Sequence, residues 1–235
     1  MSDAPVLRHI DGLDLRFVPK VWPFAVERRS EIDVFFAEQV RRNPALWNGR
    51  VLMLYRYEVA AGMLRGEFLE TDYASFSAWN AWGSPARDVW DCFGAAAIVG
   101  ADGAVLLGVM AAHTFNAGHM YLPCGTPDPQ DVRDGKVDIA FSVRRELKEE
   151  TGLDPADFSP EPGWAMVTHG PLIALIKVLR SKESAVALRD RILAFTAGEK
   201  SPEISDILVV RSPADFDPKM RDFVKSFMAQ RFAGG

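Results

Sequence analysis

Apolar positions recur at helical spacing over residues 30–42, where Ile32, Phe35, Phe36, Gln39 and Val40 share one face. Ser30 and Asp33 are placed as a capping pair, and Asn43-Pro44 stops the run. Residues 51–58 and 63–70 read as paired strands about Ala60-Ala61-Gly62. Thr71-Asp72 then caps a second helix that reaches Trp82 and ends at Gly83-Ser84-Pro85. From Phe93 the pattern changes. Residues 94–100 form a buried strand, Asp102-Gly103 a turn, and residues 104–110 the hairpin partner. A strand at 119–122 precedes a loop and a helix over about 138–150, with Asp138 at its N-cap. Strands at 164–168 and 172–179, a helix at 183–197, a strand at 207–210 and a helix at 217–231 complete the chain.

The change at Phe93 divides the chain into an α+β extension, 1–92, and a catalytic domain, 93–235. The first part holds Trp22, Trp47, Trp79, Trp82 and Trp90, all the tryptophans but Trp164. Such aromatic richness without clustered titratable groups points to substrate selection or homodimerisation, with the chemistry placed elsewhere.

Composition excludes several classes. With 48% hydrophobic and 25% charged residues the chain is of ordinary globular type. Its net charge of −5 and lack of a Lys/Arg cluster argue against nucleic acid and membrane surfaces as partners. No apolar run approaches the ~18 residues of a membrane span. Cys92 and Cys124 are too few for a disulfide scaffold. The start of the chain does not read as a signal peptide, so a cytoplasmic protein is expected.

The most informative stretch is residues 145–153, Arg-Glu-Leu-Lys-Glu-Glu-Thr-Gly-Leu. At 100° per residue, Glu146, Glu149 and Glu150 fall on a stripe roughly 100° wide. Like charges at this spacing repel, and acids near the end marked by Gly152 oppose the helix dipole. Such a stripe is either a solvated acidic face or a ligand set for a hard divalent cation, which takes oxygen donors.

The full string resembles the second half of the signature of the Nudix hydrolases, Arg-Glu-U-x-Glu-Glu-x-Gly-U, with Leu147 and Leu153 in the aliphatic places U. The upstream half departs from the pattern. Val137 and Asp131 stand where it asks for Glu and Gly. The segment 121–128, Tyr-Leu-Pro-Cys-Gly-Thr-Pro-Asp, is similar to the strand-to-loop segment that introduces the family's catalytic loop. Gly125 then takes the place of the motif glycine, six residues further from Arg145 than the pattern asks.

The resemblance implies an α/β/α sandwich with a mixed sheet from about Phe93 onward. It also implies metal-dependent hydrolysis of a diphosphate linkage in a nucleoside diphosphate joined to another moiety. Glu146, Glu149 and Glu150 match the family's Mg²⁺- or Mn²⁺-binding glutamates, and Arg145 matches the arginine that orients a neighbouring glutamate. Glu203, in a segment resembling a late family loop, is the first candidate for general base, then Asp206 and more weakly Glu183. Cys124 reads as a small buried residue. Asp128, Asp131 and Asp134 are either loop solubilisers or contacts to a second metal. His113, His119 and His169 read as hydrogen-bonded strand-end residues. A faint likeness of 43–51 and 71–76 to the UDP-sugar diphosphatase branch makes a nucleotide sugar the favoured substrate. The divergent upstream half leaves one alternative, a catalytically silent nucleotide-binding module.

Overall fold

A computed structural model of the chain describes residues 4–114 and 116–234, which fall into two compact units. One comprises residues up to 11, 93–125 and 139 onward; the other comprises 12–92 and 126–138. The linear division at 92/93 is therefore crossed twice. Val6–Ile10, a strand the sequence pattern does not reveal, pairs antiparallel with Trp164–His169 in the first unit. Residues 126–138 join the second unit.

In the first unit a sheet runs in the order Val6–Ile10, Trp164–His169, Leu172–Ser181, Asp91–Val99, Val105–Met110, Ile204–Val210. The short strand Cys124–Gly125 adds to Asp91–Val99, with Gly94 opposite Gly125. Alternation along Asp91–Val99 sends Phe93, Ala95, Ala97 and Val99 to one face, where they pack with Phe223, Val224 and Phe227 of the C-terminal helix Asp222–Ala233. Gly94 lies on the other face, against Ile139 and Val143 of the helix Ile139–Thr151. Helix Ala185–Thr196 packs on strands Ile204–Val210 and Val105–Met110 and against the helix Ile139–Thr151. Helices thus cover both faces, giving the α/β/α sandwich expected from the sequence.

The second unit is a mixed sheet in the order Arg50–Ala60, Met63–Asp72, Gly12–Phe17, Lys136–Val137, Val132–Arg133. Ala61 and Gly62 take left-handed φ values of 48° and 73°, the conformation a tight hairpin turn needs. Trp22, Trp79, Met53 and Leu69 form a core with helices Pro23–Glu27, Arg29–Arg42 and Tyr73–Ala81. Asp72 caps the last of these, accepting from the Ser75 N–H at 2.8 Å. The expected Ser30–Asp33 capping pair does not form. The helix begins a residue earlier and continues from Pro23–Glu27, so the Ile32 N–H finds the Arg28 carbonyl at 2.9 Å and no side-chain cap is made. Asp33 instead lies 3.1 Å from Arg29 Nε.

The lengthened loop after Gly125 has a structural use. Asp134 and Gly135 (φ 50° and 73°) turn a small hairpin whose strands extend the second sheet beside Gly12–Phe17. Val137, where the resemblance asks for Glu, is a buried anchor of that hairpin. Asp131 is fully buried and caps the turn Pro129–Asp131 reciprocally with Asp128. These two acids are accounted for by backbone caps.

Asp91 is an unusual acid. Its Oδ1 is buried with no hydrogen-bond partner among the described residues, and burial pushes its carboxyl up to about 7. A raised folded-state value means that stability is lost as pH climbs from the unfolded value near 3.9 toward 7. Asp91→Asn should therefore raise the melting temperature at pH 8 and change it little at pH 4, as calorimetry at the two pH values would show. An equal shift at both would exclude this titration as the cause.

Candidate active site

Helix Ile139–Thr151 buries Ile139, Val143 and Leu147, which lie one turn apart along a single stripe. The helix sits close to the sheet because Gly94 has no side chain: a Cβ there would come within 2.5 Å of Val143 Cγ2. It stops at Gly152, whose φ of +67° is the left-handed C-terminal cap and whose N–H bonds the Lys148 carbonyl at 2.9 Å. A side chain at Gly152 would also strike the Phe195 ring, 2.3 Å away at Cγ. Leu153 is buried immediately after the cap.

The acidic stripe is held from two sides. Arg145 Nη1 lies 2.8 Å from Glu146 Oε1 and 3.0 Å from Glu149 Oε2, one guanidinium bridging both. Glu146 and Arg145 are largely covered, whereas the Glu149 side chain is 58% exposed. Gly125 lies against the Glu146 carboxylate, and a Cβ there would come within 2.2 Å of Oε1. The Cys124 backbone N–H donates to Glu150 Oε1 at 3.1 Å. The strand Cys124–Gly125 thus approaches two of the three glutamates with its bare backbone.

Glu150 and Glu203 line one pocket of about 160 Å³, together with Met110, Asn116, Tyr121 and Cys124. Glu203 is positioned by its carbonyl, which accepts from the Ala111 N–H at 2.8 Å. Glu150 keeps some exposure because it borders this open space, yet protein crowds its carboxyl. Burial is the largest cause holding that carboxyl well above the usual range, followed by Glu146, Glu203 and, least, Glu149; the Cys124 N–H opposes them. Three other acids therefore act on one buried carboxyl.

Other candidates fall elsewhere. Asp206 Oδ1 accepts from Arg189 Nη2 at 3.0 Å and from the Ile207 N–H at 2.7 Å. Glu183 is ion-paired with Arg191. His113 Nε2 meets Ser201 Oγ at 3.0 Å, and His119 Nδ1 lies 3.2 Å from the Asn116 carbonyl. Sequence reasoning did not single out Asn116 or Tyr121 as pocket residues. It also missed the Cys124 amide, since a backbone donor leaves no residue-type signal.

Among the described residues no group of three or more His, Cys, Asp or Glu side chains is gathered tightly enough to hold a metal ion. The donor chemistry nevertheless suits one. Glu150 is crowded by like charge that a hard cation would relieve, and its neighbours supply the oxygen ligands Mg²⁺ or Mn²⁺ takes. Glu146, Glu149 and Glu150 would have to draw closer together to complete a ligand set.

No family model matches the chain, and no curated protein does. Solved structures do. A MutT protein from Methanosarcina mazei Go1 is 19% identical, covering 62% of this chain and 94% of its own, with a TM-score of 0.41. RenU, a Nudix hydrolase from M. smegmatis, is 15% identical over 61% of this chain and 83% of its own, with a TM-score of 0.37. A Deinococcus radiodurans protein is 16% identical over 71% and 85%, with a TM-score of 0.43.

Proposed function

We propose that this chain is a Nudix-type hydrolase that cleaves a diphosphate linkage in a nucleoside diphosphate joined to another moiety. The observation that carries the reading is the meeting of Glu150 and Glu203 at one pocket, with Glu146 and the Cys124 amide beside them. Attack on a diphosphate builds charge on oxygens that are already anionic, so catalysis depends on electrostatic neutralisation and positioning. Glu146, Glu149 and Glu150 are the proposed ligands of Mg²⁺ or Mn²⁺. When bound, the ion would offset the diphosphate charge and lower the pKa of a coordinated water. Arg145 positions Glu146 and Glu149. Glu203 lines the same pocket and is the proposed general base.

The nucleotide sugars are the substrates to test first, on the faint likeness of the N-terminal segment. That unit is proposed to shape substrate choice or self-association. Truncation at residue 92 would not isolate this role, because it removes the strand Val6–Ile10 and the partner strand of the 126–138 hairpin.

The test is a panel of nucleoside diphosphate derivatives with Mg²⁺ or Mn²⁺, the products separated by chromatography. Metal-dependent release of two phosphorylated products is the expected result. One observation favours the alternative of a silent nucleotide-binding module: Val137, at the missing glutamate's place, is committed to the second sheet. Binding without turnover on every member with either metal would establish that alternative.

A further inference from the structure

The short strand Met120–Tyr121 brings Tyr121 into the wall of the pocket that Glu150 and Glu203 line. A second segment runs beside that strand. Met120 bridges in parallel to Met220, and the Met120 N–H donates to the Lys219 carbonyl at 3.2 Å. Met220 is buried in the core, which fixes the pairing. Parallel neighbours keep step, so the next residue on each segment, Tyr121 and Arg221, also meet. Arg221 Cζ lies 5.5 Å from the centroid of the Tyr121 ring, a cation–π contact. The ring is itself held, 6.3 Å from that of the buried Phe223. The Arg221 guanidinium thus stands one side chain from the pocket.

Nothing within the chain accounts for a cation at this position. Arg221 is the N-cap of the helix Asp222–Ala233 and makes no capping hydrogen bond. Ser, Thr, Asp or Asn would serve the free N–H groups there, and a positive charge opposes the helix dipole. The side chain has no ion pair and no hydrogen bond among the described residues. The arginines nearer the acids differ: Arg145 is bound to Glu146 and Glu149, and Arg189 to Asp206. An unpaired surface arginine is ordinary by itself. This one is fixed against the wall of a pocket whose own charged side chains, Glu150 and Glu203, are both acids. Its ring contact engages no oxygen, so the N–H donors are left to a ligand. Their planar fork matches two oxygens of a phosphate. We propose that Arg221 binds a phosphoryl group of the diphosphate substrate through this fork, an inference that rests on the reaction proposed above.

The test is calorimetric titration of the intact chain with the methylene-bridged analogue of ADP in the presence of Mg²⁺ or Mn²⁺. The P–C–P bridge resists hydrolysis, so binding is read without turnover. Arg221→Ala should weaken binding by about 10- to 10²-fold, the loss expected when hydrogen bonds between charged groups are removed. Arg221→Lys keeps the charge without the fork and should recover part of that loss. Adenosine, which lacks the phosphates, should show no dependence on residue 221. The melting temperature should change little, since the lost ring contact and the relieved dipole are small and opposite in sign. Should Arg221→Ala fail to fold, Arg221→Gln takes its place with the same expected loss. Dependence on Arg221 without turnover of any substrate would support this inference while overturning the hydrolase reading. Unchanged affinity in the uncharged variant would overturn the inference and leave that reading standing. An equal loss of adenosine binding would also overturn it, because the pocket's shape and not a phosphate contact would then have changed. So would the absence of saturable binding to the parent protein at about ten times a millimolar Kd.

Discussion

Glu150→Gln should lower diphosphate hydrolysis by about 10²-fold or more while raising the melting temperature of the metal-free protein. The rate loss is that of removing a charge where the transition state is stabilised. The stability gain has a separate origin. Glu150 is crowded and feels Glu146, Glu203 and Glu149, so its ionised form opposes folding. The amide keeps an oxygen that can accept from the Cys124 N–H, now 3.1 Å from Glu150 Oε1, and carries no charge. With chelator present, the stabilisation should grow as pH rises from the unfolded carboxyl value near 4.3, because a raised folded-state pKa costs stability above that point. Near pH 4 and below, the two proteins should melt alike.

Glu149→Gln supplies the contrast. Its side chain is 58% exposed and pairs with Arg145 at i,i+4, so its loss should cost the apo fold no more than about 0.5 kcal/mol. A large rate loss without the stability gain at Glu149 would mark it as a ligand acting from an exposed position. Glu203→Gln should cost less rate than either. Should Glu150→Gln melt clearly below the parent in chelator, Glu150 holds structure, and its role as a crowded ligand is wrong.

How much of this was legible in the sequence depends on the kind of signal. The helix Ile139–Thr151 could be read because Ile139, Val143 and Leu147 recur at helical spacing and Gly152 supplies the left-handed stop. The hairpin Arg50–Ala60 and Met63–Asp72 was visible through Ala61-Gly62, and the Asp72 cap through its position before an apolar run. The strands Val6–Ile10 and Gly12–Phe17 were not. Arg8, His9, Asp14 and Arg16 interrupt their apolar residues, and their pairing partners lie far along the chain. The interleaving of the units was hidden for the same reason: Lys136–Val137 is two residues long and joins the second sheet by pairing with Gly12–Phe17, more than a hundred residues earlier. At the site, the glutamates carried a spacing signal. The Cys124 amide that holds Glu150, and the approach of Gly125 to Glu146, belong to the backbone and carry none.

That backbone approach gives the second large effect. Gly125→Ala should leave the fold nearly as stable and yet reduce hydrolysis by about 10- to 10²-fold. An added Cβ would lie 2.2 Å from Glu146 Oε1 and 2.4 Å from Cδ, so the carboxylate must yield. It is the end of a flexible side chain and can swing away at little cost to the core. In doing so it abandons Arg145 Nη1, now at 2.8 Å, and its place beside Glu150. A displacement of about 1 Å at a catalytic group is enough for losses of that order. Gly94→Ala, opposite it in the same strand pair, should behave differently. There the added carbon meets Val143 Cγ2 at 2.5 Å and Ile139 Cγ2 at 2.8 Å in the packed interior, and overpacking should cost about 1–3 kcal/mol. The double variant Gly125→Ala with Glu146→Asp separates carboxylate position from general damage, because the shorter side chain draws the carboxylate back from the new methyl. Activity in the double variant above that of either single variant would confirm that Gly125 is glycine to make room for Glu146. A Gly125→Ala protein with full activity would show that the carboxylate of Glu146 need not stay where Arg145 holds it, and would remove Glu146 from the proposed ligand set.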